Sequence, residues 1–291
     1  MMTPDDGARP VSGEIISFET EADLSKKRQA FAERIGRQNS GRYVRFILAA
    51  LSGIPWVGSL LGAGAALHGE FQQDQLNELQ KLWLQEHQAK LERLGLTLAG
   101  ITERFEGLGD EIQERIQSEE YLALIRKGFR QWDQADTDEK REFIRKVLTN
   151  AGATKLCEDD LIRLFLDWID RYHESHFAVI RVIHQNPGST RAGIWQSIHG
   201  PRVRENSSEA DLFKLLIDDL SMGHVIRQER ATDNAGNFLR AQRPTTRSPA
   251  SPYLRTAFDD TKPYELTELG TQFVHYTMDE LVPRMTGGHD D

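Results

Sequence analysis

Hydrophobic and polar positions change rhythm several times along this chain. Residues 1–20 carry no helical periodicity and predict a disordered arm. Residues 21–45 form a basic stretch, with Lys26, Lys27, Arg28, Arg34, Arg37, Arg42 and Arg45 outnumbering its acids. From Phe46 to Leu67 the chain then runs 22 residues without a charge. Periodicity returns at Leu76, Leu79 and Trp83. It continues at Leu91, Leu94, Leu98, Ile101, Phe105, Leu108 and Ile112, alternating three and four apart. That alternation is the seam of a coiled coil or a long bundle helix, expected over 70–117. Glycine is unfavourable inside a helix, so a break is expected near Gly107–Gly109.

Residues 118–175 read as a compact helical middle. One of its helices starts at Thr137, whose hydroxyl can cap it while Asp138 and Glu139 face the dipole, and it ends at Asn150–Gly152. A longer helix runs through Leu161, Ile162, Leu164, Phe165, Trp168, Ile169 and Tyr172. Beyond residue 176 the segments shorten. HFAVIRVIHQN is a helix stopped by Pro187-Gly188, and RAGIWQSIHG is a second, with Ser189 and Thr190 as capping residues. A third, EADLFKLLIDDLSM, is capped at Ser207 or Ser208 and ends at Gly223. VIRQER and FLRAQR flank a turn containing Asp233-Asn234 and Gly236, which predicts a β-hairpin. YEL and a closing helix, TELGTQFVHYTMDEL, complete the pattern, and residues 283–291 form a disordered tail.

Three helices, a two-stranded wing, a further strand and a closing helix resemble the winged helix-turn-helix superfamily over residues 176–282, the GHVIRQER…YELTELGTQF ending most of all. The resemblance implies the fold; members of the superfamily bind DNA, RNA or proteins, or serve as assembly modules. The third helix, which in the superfamily enters the major groove, here carries Glu209, Asp211, Asp218 and Asp219 against Lys214 alone. The module as a whole has 12 basic and 13 acidic residues, without the basic excess of a conventional DNA reader. Its bases gather at Arg202 and Arg204, then on the wing at Arg227, Arg230, Arg240, Arg243 and Arg247. The candidate ligand contacts are therefore Arg202, Arg204, Arg227, Arg230, Arg240 and Arg243, facing an oligonucleotide, DNA or a protein.

The uncharged segment raises a different question. Twenty-two residues rise about 33 Å as one helix, enough for a hydrocarbon core of roughly 30 Å. Nine of its large apolar residues favour insertion by about 4 kcal/mol in sum, which four glycines, two serines and Pro55 oppose. Gly58 and Gly62 form a GxxxG that lets helices approach closely. The segment is thus either a membrane-associated hairpin folded at Pro55 or a hairpin buried within an oligomer. The membrane or oligomer segment comprises Phe46, Leu48, Leu51, Pro55, Trp56, Gly58, Leu61, Gly62 and Ala66. The coiled-coil seam comprises Leu76, Leu79, Trp83, Leu91, Leu94, Leu98, Ile101 and Phe105. An apolar hairpin followed by a long amphipathic helix is a layout that resembles bacterial membrane-active, pore-forming defence effectors.

Composition and chemistry narrow the reading. A length of 291 residues predicts two domains, or one with a long appendage, and a mean hydropathy of -0.54 excludes a polytopic membrane protein. A net charge of -9 argues against a chain-wide polyanion binder. One cysteine, Cys157, excludes an internal disulfide framework and a cysteine zinc cluster. The charged first forty residues predict no signal peptide. No P-loop occurs, His173 and His176 fail the HExxH spacing, and Cys157 has acids rather than an activating cation nearby. Asp218-Asp219 and Asp259-Asp260 are adjacent pairs, unsuited to a catalytic dyad. Trp83, Trp132, Trp168 and Trp195 sit at apolar helical positions.

The expected protein is mainly α: a basic helix and apolar Gly-rich hairpin (21–69), a long coiled-coil-like helix (70–117), a helical middle (118–175) and a C-terminal winged helix with a small β-hairpin wing (176–282). The expected function is non-enzymatic and needs no cofactor or metal. It is that of a homo-oligomeric, membrane-associated effector, a pore or ion-channel former of an antiviral defence system whose winged helix senses a protein or nucleic-acid ligand. It is expected in the cytoplasm with inner-membrane association, or wholly soluble there if the hairpin is buried. The alternative is a soluble dimeric DNA-binding regulator that pairs through residues 76–112.

Overall fold

A computed structural model describes residues 42–57, 73–154, 156–230, 235 and 256–278; for 73–88 it describes the backbone alone. The chain is mainly α with a small antiparallel sheet. Its elements are α1 (Val44–Ser52), α2 (Gln73–Gly107), a 3-10 turn (Asp110–Ile112), α3 (Gln113–Gln117), α4 (Glu119–Gln134), α5 (Asp138–Ala153), α6 (Asp159–Arg171) and α7 (Glu174–Gln185). There follow β1 (Ser189–Thr190), α8 (Arg191–His199), α9 (Ser208–Met222), β2 (Ile226–Gln228), β3 (Pro263–Leu266) and α10 (Glu268–Thr277).

Hydroxyl caps set most of these boundaries. Ser118, Thr137, Thr190, Ser207 and Thr267 each accept a hydrogen bond from the amide three residues on, satisfying an otherwise orphaned donor at the start of α4, α5, α8, α9 and α10. Acids occupy the first turns of α4, α5, α6 and α9, where the helix dipole favours them.

Helix α4 is the centre of the bundle. Tyr121, Leu122, Leu124, Ile125, Phe129 and Trp132 are buried on several of its sides, and it packs against α1, α5 and α6. The C-terminal half of α2 lies on α5, burying Leu94, Leu98, Ile101 and Phe105. Of the two readings of the seam, a coiled coil or a long bundle helix, this half takes the second, since it faces the chain's own core. Leu91 is only half-buried, and the side chains of Leu76, Leu79 and Trp83 lie outside the description.

The sheet has the order β1-β3-β2, antiparallel throughout. Tyr264 stands opposite Ser189 on one side and Gln228 on the other, and Arg227 opposite Glu265. The expected hairpin partner of β2, FLRAQR, lies outside the described residues; among the described residues β2 pairs with the YEL strand. Among the described residues the apolar core continues across residue 176. One continuous apolar cluster runs from Tyr43 to Tyr276, and α10 returns to pack on α5. Phe273 of α10 meets Phe165, Trp168 and Phe177 at 5.4–6.5 Å, and the Asn150 side chain donates to the Tyr276 carbonyl. Helix α9 ends at Gly223, as expected. Gly223 has ordinary helical dihedrals and His224 takes the left-handed position, at φ 56°. A side chain at 223 would collide with the Tyr172 hydroxyl, so close approach explains that glycine.

Candidate functional site

The first half of the uncharged segment is α1 and the turn after it. Tyr43, Phe46, Ile47, Ala49, Ala50, Ile54 and Val57 are buried against α4 and α3. Phe46 meets Phe105 edge-on at 5.8 Å, and Tyr43 lies 6.4 Å from the same ring. At Gly53 a Cβ would stand 2.6 Å from the Arg126 carbonyl oxygen, so only glycine lets the chain leave α1 this close to α4. The Trp56 indole donates to Asp133 at 2.7 Å, tying the start of the next helical turn to α4. The break expected at Pro55 occurs at Gly53–Ile54, just before it.

The opposite face of α1 stays open. Leu48 is 61% exposed and Val44 is also exposed; Leu51 and Trp56 are half-buried and Pro55 is exposed. Of the segment residues, Phe46 is thus core and Leu48 surface, while Gly58, Leu61, Gly62 and Ala66 lie outside the described residues. Among the described residues no helix is long and apolar enough to cross a membrane.

Among the described residues, two of the candidate arginines of the C-terminal module are engaged by carboxylates. Arg202 pairs with Asp260 at 3.5 Å, and Arg227 pairs across the strands with Glu265 at 2.7 Å. Arg204 and Arg230 are exposed, and Arg240 and Arg243 lie outside the described residues. On α9 the buried side holds Ala210, Phe213, Leu216, Ile217 and Leu220. Glu209, Asp211 and Asp218 therefore point outward. A phosphate backbone meeting this helix would meet carboxylates. No protein-family model, curated protein or solved structure matches this chain.

Titratable groups show where burial acts. His176, at the start of α7, is nearly fully buried. Its Nδ1 accepts from the His173 amide at 3.1 Å, and its Nε2 lies 3.6 Å from Asp219 of α9. Burial pulls its pKa below the usual histidine value, although Asp219 opposes the shift. His176 is therefore neutral in the fold, whereas the unfolded chain takes its proton near pH 6.5. Stability contributed by His176 is full above that pH and falls as pH drops through 6.5 toward the folded value. Equilibrium unfolding between pH 7.5 and 5 is expected to show His176→Gln losing less stability on acidification than the wild type. Equal losses would show that His176 does not titrate in this window.

Cys157 is half-buried, and burial raises its thiol pKa while a hydrogen bond with Tyr276 opposes the shift; it is a poor nucleophile near neutrality. A cleft of about 240 Å³ between α4, α5 and α6 is lined by Gln131, Gln134, Asp136, Lys140, Asp170 and His173. Lys140 is buried there, its ammonium held by Asp136 and by the Asp170 carbonyl, both at 3.2 Å. Among the described residues no group of three or more His, Cys, Asp or Glu could hold a metal ion.

Sequence reasoning missed two polar features. Arg115 donates to both oxygens of Asp159 and to the Ala151 carbonyl, and its guanidinium lies 5.2 Å from the Tyr121 ring; this pair locks α3 to α6. Lys140 was the other. Both residues sit in charged surroundings, and only the approach of helices distant in sequence makes them interior.

Proposed function

We propose that this chain is a non-enzymatic effector in which the uncharged segment is the output element and the C-terminal module is a sensor resembling a winged helix. The observation that carries the reading is that α1 has one face docked on α4 while Val44 and Leu48, beside Arg45 and Ser52, stay open to solvent on the other. Large apolar side chains left open next to an uncharged run suit a further surface that covers them. The uncharged continuation to Leu67, with its GxxxG at Gly58 and Gly62, suits assembly with copies of itself or entry into lipid. The docked face argues for a conditional device: α1 must leave Phe105 before the whole segment can act. This layout is similar to that of pore-forming defence effectors, which motivates looking for ion leakage and cell arrest on triggering.

The test is fractionation of expressing cells with an alkaline wash, together with dye release from anionic vesicles. Protein retained on membranes and dye release are expected, with Gly58→Leu/Gly62→Leu cutting release by roughly tenfold through loss of close helix packing. Sealed vesicles and a wholly soluble pool would end the membrane reading.

A DNA-binding regulator is the second reading, favoured by the order of α7, α8, α9, β2, β3 and α10. It expects salt-sensitive DNA retention weakened by Arg227→Ala and Arg240→Ala. The acidic outward face of α9 weighs against it.

A further inference from the structure

Helix α9 keeps three large apolar side chains in solvent among the described residues: Leu212 at 52%, Leu215 at 54% and Met222 at 67% exposed. They are not displaced core. Ala210, Phe213, Leu216, Ile217 and Leu220 already anchor the helix from its other side, and it packs against α7 and β2. At helical spacing Leu215 and Met222 stand seven apart along the middle of the outward face, two turns or about 10.5 Å. Leu212 lies one turn before Leu215. Apolar side chains three and seven apart are the spacing with which one helix meets another along a seam. Met222 adds an unbranched side chain that adapts to an irregular partner surface.

Carboxylates border the stripe. Asp211 and Asp218, also seven apart, run along one edge, and Asp219 lies toward the other, beside Leu212 and Leu215. Over Ser208–Met222 four acids stand against Lys214 alone. Asp211 meets Lys214 at 3.4 Å and Asp218 meets Arg191 at 3.2 Å, yet both carboxylates remain largely exposed. A carboxylate offers about four acceptor positions, so each can take a further cation from outside.

Charge decides what can occupy such a face. A phosphate backbone and an anionic bilayer would both bring negative charge to the acids. A second copy of the same face would set acid against acid. A helix whose own apolar stripe is bordered by lysines and arginines matches both the seam and the charge. We infer that the outward face of α9 is the docking site for a basic amphipathic helix of a partner protein. Apolar side chains of the partner cover Leu212, Leu215 and Met222, and its bases reach Asp211, Asp218 and Asp219. This assignment rests on the reading of the C-terminal module as a sensor, whose partner class it names, and is independent of membrane entry.

The full chain is titrated with a labelled synthetic helix-forming peptide of about 20 residues, with leucines every three and four positions and lysines and arginines on both sides. Fluorescence anisotropy should show saturable binding. Leu215→Glu should weaken it by about tenfold, and Asp211→Lys/Asp218→Lys by about the same factor. The second variant should instead bind a counterpart peptide in which glutamates replace the bases. A scrambled peptide of the same composition, which forms no stripe, should not compete. Dilute peroxide should oxidise Met222 in the free chain, and mass spectrometry should find that oxidation slowed by about tenfold once the basic peptide is bound. Every substitution is at the surface, so thermal transitions should match that of the wild type.

Equal affinity for the scrambled peptide, or affinity unmoved by both variants, would overturn the docking site. So would Met222 protected before any peptide is added. Protection that fades on dilution would assign the face to a second copy, and protection that persists would assign it to the same chain. A duplex oligonucleotide that protects Met222 and is lost in Leu215→Glu would assign the face to nucleic acid. Peptide docking beside sealed vesicles would leave this site standing without the membrane reading, and dye release without peptide docking would do the reverse.

Discussion

Phe105→Ala is expected to cost about 4 kcal/mol and to lower the melting temperature by roughly 12 °C. The ring has no exposure and is shared by α1, α2, α4 and α5: Phe46 lies 5.8 Å away, Tyr43 and Tyr121 6.4 Å, and its edge fills the space against Gly152. Because neighbours from four helices frame the site, no single side chain can move in, and a cavity remains. The same ring is the seat of α1. If undocking of α1 is the first step of the output, this variant releases vesicle dye at lower protein concentration than the wild type while being less stable. Loss of stability without gain of release would separate the packing role of Phe105 from any role in triggering.

Phe273→Ala is the natural control, because its cost is similar and its place is remote from α1. Phe273 is fully buried and meets Phe165 at 5.6 Å, Trp168 at 5.4 Å and Phe177 at 6.5 Å. It therefore joins α10 to both α6 and α7, the helices on either side of the supposed boundary at residue 176. Truncation is expected to cost about 4 kcal/mol, and far-ultraviolet and near-ultraviolet circular dichroism should fall in one coincident transition. Two separated transitions would mean that the helical bundle and the C-terminal module hold independent cores. Dye release should not rise in this variant, so a shared increase would attribute release to general loosening instead of to α1.

Local rules in the sequence located most elements. Thr137 caps α5, Thr190 caps α8 and Ser207 caps α9, because a hydroxyl and the amide three residues on are neighbours along the chain and need no tertiary partner. The YEL strand and the closing helix were legible for the same reason. The candidate site was legible only in part. The uncharged run stood out in composition, but nothing in it tells Phe46 from Leu48, since both are apolar residues of one short helix. Position against Phe105 and the Arg126 carbonyl makes one core and the other surface.

By itself, the sequence determined what depends on neighbours within about four residues: helix starts, the break before Pro55, the alternation from Leu91 to Ile112 and the acidic character of α9. Tertiary structure alone decided which partner each apolar stripe met. It turned the seam at Leu94, Leu98, Ile101 and Phe105 onto α5 instead of a second copy, paired Arg227 with Glu265 and Arg202 with Asp260, and drew Lys140 inside. The reason is that periodicity specifies a face but not its occupant. A stripe of leucines is satisfied by any apolar surface that reaches it, and an arginine by any carboxylate, so the choice rests with whichever element the rest of the fold brings within a few ångströms.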